Sequence, residues 1–112
     1  MMKISHLRLG VSDLEQSEHF YRESLGLNVE RSGSDVVVRW PGFVLSLIEN
    51  PPAGRAKFQF GFEVESRAQV DEWAERLRKG GAQIVAGPAE NDGVYRLFLL
   101  DPDSYEIEIF SQ

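Results

Sequence analysis

The stretch Asp101-Pro102-Asp103-Ser104-Tyr105-Glu106-Ile107-Glu108-Ile109-Phe110 decides how this chain is read. Pro102 fixes its own φ near about −65°, and the Asp and Ser residues beside it bond readily to nearby backbone, so the stretch opens with a tight turn. After the turn the residues alternate. Tyr105, Ile107 and Ile109 share one face, which suits a core; Glu106, Glu108 and Phe110 share the other. A strand ending on two outward carboxylates either faces solvent or lines a polar cavity.

The same grammar recurs outward from this strand. Ile4 to Val11 alternates, with His6, Arg8 and Gly10 opposite Leu7, Leu9 and Val11. Ser12 with Glu15, or Asp13 with Gln16, offers a capping box for a helix predicted over Leu14 to Leu25, and Gly26 supplies its stop. Strands are predicted over Leu27–Glu30, Val36–Trp40 and Phe43–Ile48. Pro51 and Pro52 then mark a linker over residues 50–56.

Beyond the linker the pattern starts again. Phe58, Phe60, Phe62 and Val64 alternate with Gln59, Gly61 and Glu63. Ser66 and Gln69 offer a second cap. Val70, Trp73, Ala74 and Leu77 form a helical stripe that Gly80-Gly81 ends. A short strand is predicted at Ala82–Ala86, a loop between Gly87-Pro88 and Asn91-Asp92-Gly93, and an apolar strand at Tyr95–Leu100 before the closing stretch. Each half therefore reads strand, helix, strand, strand, strand, an internal duplication of pattern without identity. The expected class is α+β: one domain over 1–112, built of two βαβββ modules at about 1–50 and 57–112, with one helix covering one face of each small sheet.

Composition narrows the function. There is no cysteine, which excludes disulfides, thiolate metal sites and a cysteine nucleophile. The net charge of −6 disfavours nucleic acid and anionic membrane as partners and favours a cation or metal. The N-terminus has no apolar core of a signal peptide and no run is long enough to span a bilayer, so the expected location is the cytoplasm.

Four blocks together resemble the vicinal oxygen chelate superfamily, which includes glyoxalase I, bleomycin-resistance proteins, fosfomycin-resistance transferases and extradiol dioxygenases. They are Ser5 to Leu14, Phe20 to Leu27, Phe60 to Val64 and Asp101 to Phe110. The resemblance covers essentially the whole chain. It implies two half-barrel sheets around a cleft, a homodimer, a small-molecule substrate or drug, and, in the enzymes, a divalent metal (Zn, Ni, Mn or Fe) held by the first and last strands of each module. The residues matching those ligand positions are His6, Gln59 and Glu108; Ser46 stands where glyoxalases have glutamate. Alternation agrees, since His6, Gln59 and Glu108 each lie opposite their own strand's core residues. A histidine, a carboxylate and an amide oxygen can hold a divalent ion. The triad of two histidines and one carboxylate that iron-dependent oxygen chemistry needs is incomplete, because the second histidine, His19, falls on a helix.

Two functions follow from this resemblance. In the first, a metal-dependent lyase, isomerase or transferase acts on a substrate with vicinal oxygens; Glu108 helps hold the metal and Glu106 or Glu63 moves a proton. In the second, a metal-free protein of the bleomycin-resistance kind binds a cationic drug or metabolite at a dimer cleft. Arg8, Trp40 and Ser46 are expected to line the cleft in either case, with Arg8 as a partner for Glu108.

Overall fold

The computed structural model describes residues 1–51 and 59–112. The predicted linker therefore falls largely outside the described residues, as does Phe58. The chain divides into two compact units, Met1–Gly54 and Arg55–Gln112.

The first unit is a four-stranded sheet with one helix. Its elements are β1 (His6–Val11), α1 (Leu14–His19), β2 (Val29–Ser32), β3 (Asp35–Trp40) and β4 (Phe43–Glu49). The sheet order is β1-β4-β3-β2, and β1 runs parallel to β4 while the other pairs are antiparallel. Leu9 and Val11, Leu45 and Leu47, and Val36 and Val38 share one face by register and are all buried. Truncating one such fully buried leucine to alanine costs about 2–5 kcal/mol. Gly10 is fixed by a close approach: a Cβ there would collide with the carbonyl oxygen of Asn50, whose N–H bonds to Val11 O at 3.1 Å.

The second unit repeats this plan. Its elements are β5 (Gln59–Glu63), α2 (Arg67–Lys79), β6 (Gln83–Asn91), β7 (Val94–Leu100) and β8 (Glu106–Ser111), in the order β5-β8-β7-β6 with β5 parallel to β8. Its core takes Val70, Ala74 and Leu77 from α2, and Leu97, Leu99, Ile107 and Ile109 from the sheet. The α+β class and the duplicated βαβββ order are thus observed.

The helix ends follow from their caps. Asp13 caps α1, accepting from Gln16 N at 3.1 Å, which decides between the two capping boxes offered by the sequence. Ser66 caps α2 through Gln69 N at 3.2 Å, and Gln69 Oε1 accepts from Glu65 N at 2.9 Å. Gly81, at φ +80°, closes α2 as Ala82 N reaches back to Leu77 O at 2.9 Å.

Two sequence expectations change. The helix predicted to Leu25 stops being α-helical at His19, and Phe20–Ser24 forms a π turn, with Leu25 N bonded to Phe20 O at 3.1 Å. The wider turn lets two consecutive aromatics, Phe20 and Tyr21, both be buried, their rings edge to face at 5.2 Å. The short strand and loop predicted over Ala82–Gly93 are instead one nine-residue strand, β6, which runs through Gly87-Pro88. Pro88 is tolerated because β6 is a sheet edge and its pairing with β7 shifts register twice there. Only Asp92 and Gly93, both at positive φ, form the hairpin turn.

Candidate functional site

The closing turn places the candidate carboxylates. Asp101 is buried, and its Oδ1 accepts from Asp103 N and Tyr105 N, both at 2.9 Å; its N–H donates to Tyr105 O at 3.0 Å. Ser104 takes φ +69° to allow this. The turn sets the register of β8, so that Tyr105, Ile107 and Ile109 are buried and Glu106, Glu108 and Phe110 take the opposite, half-exposed face. Burial, reinforced by Asp101 and Asp103, raises the pKa of the Tyr105 phenol.

The two modules hold their candidate residues at equivalent places. His6 on β1 corresponds to Gln59 on β5, because their Cα partners are Val44 on β4 and Glu106 on β8. Two residues along, Arg8 pairs with Ser46, and Gly61 pairs with Glu108. The next strand carries Val37 opposite Ser46 and Phe98 opposite Glu108. Two residues before these stand Asp35 and Arg96. Ser46 and Glu108 are therefore the same position in two copies of one sheet.

Both copies carry an arginine ion pair at that position, built from different residues. In the first module Arg8 reaches across Ser46 to Asp35, Nη2 to Oδ2 at 3.3 Å. In the second, Arg96 Nε lies 3.1 Å from Glu108 Oε2. The expected pairing of Glu108 with Arg8 is thus replaced by two separate pairs. The Arg8 side chain is 59% exposed, so its pair contributes little, on the order of 0–1 kcal/mol. The second pair is more enclosed, with side-chain exposures of 31% and 17%.

Gly61 makes the second pair possible. A Cβ at that position would stand 3.2 Å from the Cβ, carbonyl oxygen and Oε1 of Glu108. The carboxylate fills the space of a missing side chain. The arginine is less well satisfied. Its Nε is shut off from solvent and, although close to Glu108, makes no aligned hydrogen bond. An unmade buried bond of this kind costs about 1–3 kcal/mol. No described residue accepts a hydrogen bond from the rest of the guanidinium.

The remaining sequence candidates are less engaged. His6 is exposed, and its imidazole forms no ion pair or hydrogen bond with any described residue. Glu106 shares the face of Glu108, about 7 Å along the strand, and Glu63 lies on that same face of β5 beside Phe110; neither is ion-paired among the described residues. Trp40 falls on the other face of its sheet from Arg8 and Ser46: register aligns it with Phe43, Leu45 and Leu47, and its ring packs against Phe43 at 6.4 Å. Of the three residues expected to line the cleft, Arg8 and Ser46 share one face and Trp40 takes the other. An open cavity of about 630 Å³ in the first unit takes in Arg8, Asp35 and Glu49 with Asp13 and Leu14, but neither His6 nor Ser46.

Arg96 and Asp35 escaped the sequence reading. Arg96 is the one charge in Val94-Tyr95-Arg96-Leu97-Phe98-Leu99-Leu100, a strand read as apolar. A lone arginine inside such a strand was the available signal, since a charge there requires a partner.

A metal is what the resemblance implies, so the donors must be tested against it. Among the described residues no three of His, Cys, Asp or Glu come together. Of the residues at expected ligand positions, the second module offers one amide, Gln59, and one carboxylate, Glu108, already beside a guanidinium, while Glu106 and Glu63 stand elsewhere on the same face. A unit charge and a divalent ion about 4 Å apart repel by roughly 8 kcal/mol at an effective dielectric of 20. One carboxylate must offset that as well as the ion's dehydration. Taken by themselves, Gln59 and Glu108 beside Arg96 do not fit a tightly held divalent ion.

Comparison with known proteins places the fold. The Glyoxalase/Bleomycin resistance protein/Dioxygenase superfamily profile matches residues 3–109, and the chain belongs to that superfamily. It is 27% identical over 126 aligned positions to a lactoylglutathione lyase of Salmonella typhimurium, covering 96% of this chain and 91% of that protein. It is 30% identical to a manganese-dependent 2,3-dihydroxybiphenyl 1,2-dioxygenase of Geobacillus genomosp. 3, matching 96% of this chain but 36% of that longer protein. A solved structure of a possible glyoxalase from Bacillus cereus superposes with a TM-score of 0.79 at 29% identity, covering 97% and 98% of the two chains. Among the described residues no helix is long and apolar enough to cross a membrane.

Proposed function

We propose that this chain is a small-molecule-binding member of the superfamily that works without a tightly bound resident metal. The observation that carries this reading is the Arg96 guanidinium 3.1 Å from Glu108, the one carboxylate at a metal-ligand position. A fixed positive charge already occupies the neighbourhood in which an ion would have to sit. The serine at the equivalent place, Ser46, adds no charge. Arginines on both polar faces also redirect the ligand expectation. The net charge of −6 favours a cation overall, but Arg8 and Arg96 supply local positive groups. The reading includes the homodimer that the resemblance implies, for which sedimentation should return twice the chain mass.

The competing reading is a metal-dependent lyase or isomerase like the named relatives. What favours it is that His6 and Gln59 hold corresponding strand positions in the two copies of the sheet, with Glu108 on the strand that pairs with Gln59's own.

Elemental analysis of the purified protein, followed by melts in EDTA and in added Ni²⁺, Mn²⁺ and Zn²⁺, separates the two. A site loaded to a hundred times its dissociation constant adds about 2.7 kcal/mol of stability. The expected result is substoichiometric metal and no saturable shift in the melt. A near-stoichiometric ion whose stabilisation is lost in His6→Ala and Glu108→Gln would overturn the metal-free reading.

A further inference from the structure

We infer that the Arg96 guanidinium, seated on Glu108, is the cationic group that receives the oxygens of a small carboxylate ligand on the polar face of the second module. The inference deepens the metal-free reading above and names the ligand chemistry of that same face. It stands on three observations. The guanidinium lies on the face that also carries Gln59, Gly61 and Glu108, and its side chain is 31% exposed. Its contact with Glu108 is close but not aligned, so Nε–H is left without a hydrogen-bond acceptor. Its outer nitrogens donate to no described residue.

Those outer nitrogens form a planar fork that matches two oxygens of one carboxylate, or two vicinal oxygens of an α-keto acid. Glu108 keeps the guanidinium on this face while neutralising it in the empty state. Gly61 clears the space beside Glu108 Oε1, and the arginine side chain keeps 31% of its surface exposed. Gln59, two residues along β5 from Gly61, adds an amide that can donate to a ligand oxygen. Binding involves no covalent step.

Glu108 and Arg96 play opposite parts in the two possible kinds of site, and this gives the test. At a metal-mediated site Glu108→Gln removes a ligand and abolishes oxyanion binding. At a guanidinium site Glu108→Gln removes the competitor for Arg96, so binding is kept or tightened, whereas Arg96→Gln removes the receiver. The experiment is a pyruvate titration in EDTA, at constant ionic strength made up with sodium chloride. It is followed by ¹⁵N NMR on the Arg96 Nε–H signal and on the backbone amides of β7 and β8.

The expected result is a saturable shift of the Arg96 signal in the wild type. Affinity should be equal or up to about tenfold higher in Glu108→Gln, and at least tenfold lower in Arg96→Gln. Arg96→Lys, which keeps the charge but loses the fork, should fall between. No saturable response, or a response abolished by Glu108→Gln, or one kept in a folded Arg96→Gln, overturns the inference. A stoichiometric metal found in the preceding experiment, with the pyruvate response surviving in EDTA, would overturn the metal-free reading alone.

Discussion

Arg96 Nε lies 3.1 Å from Glu108 Oε2, and the other oxygen of that carboxylate rests over Gly61, the residue paired with Glu108 across the parallel strands. Three residues on three strands thus form one unit, and each limits what the others can be.

Gly61→Ala tests that unit. The added Cβ would be 3.2 Å from Glu108 Cβ, O and Oε1, tighter than ordinary contact. The carboxylate can swing aside but the backbone oxygen must shift. Gly61 has no positive φ, so alanine should gain about 0.4–1 kcal/mol from the unfolded state, against an overpacking cost of about 1–3 kcal/mol. The expected net loss is about 1 kcal/mol by urea unfolding. A double-mutant cycle with Glu108→Ala should recover part of it, because the side-chain half of the clash is gone. Additive effects would mean that the two residues are not coupled.

Asp101→Ala should be more costly than any other change in the closing turn. It strips the acceptor from two backbone N–H groups, Asp103 and Tyr105, each bonded at 2.9 Å beside a buried tyrosine. The expected loss is about 2–4 kcal/mol, measured by urea denaturation. Asp101→Asn keeps an acceptor oxygen and should lose less than half of that. Equal losses in the two variants would show that charge rather than hydrogen bonding fixes the turn.

Glu18 gives a prediction in acid. It accepts from Arg22 at 2.8 Å and from Arg31 at 3.1 Å, so α1 is tied to β2. The hydrogen bond from Arg22, helped by Arg31, lowers its pKa below the ordinary 4.5, partial burial opposing. A depressed folded-state pKa means stability that is present above the unfolded value and lost as pH falls through the folded one. The wild type should therefore melt above Glu18→Gln at pH 7, and the gap should close as pH falls below about 4.3. A gap unchanged at pH 2.5 would assign the effect to packing.

Tyr95 gives the mirror case in alkali. Its hydroxyl donates to Asp71, and this bond, with some desolvation, raises the phenol pKa, Arg67 opposing. A phenol raised in the folded state contributes stability below its unfolded value, near about 10, and loses it as pH rises through the folded one. Tyr95→Phe should melt lower than the wild type at pH 7, with the difference fading above pH 10. A constant difference would exclude this linkage.

The fold was largely written in local pattern. The alternation of β1, β5 and β8, the caps Asp13 and Ser66 and the stop at Gly81 are all set by neighbours in sequence. What escaped depends on partners far along the chain. Nothing near Phe20 announces a π turn; it follows from burying two adjacent aromatics against one sheet. Gly87-Pro88 reads as a loop because its place at a sheet edge, where a missing donor is harmless, is a property of topology. The candidate site divides the same way. The face of Glu108 was legible from period two, but its partner was not, since Arg96 is twelve residues away and Arg8 was an equally good cation by composition. Only the strand order, with β7 beside β8, picks between them.

The parallel between Ser46 and Glu108 has a consequence for engineering the chain. The two copies of the sheet fill the same spot with reversed polarity. In the first, the base sits on the outer strand and the acid two strands in, across a serine. In the second, the acid sits on the middle strand and the base beside it, above a glycine. The halves are no longer interchangeable parts. A chain made by repeating the first half would have no central carboxylate, and one made by repeating the second would have two.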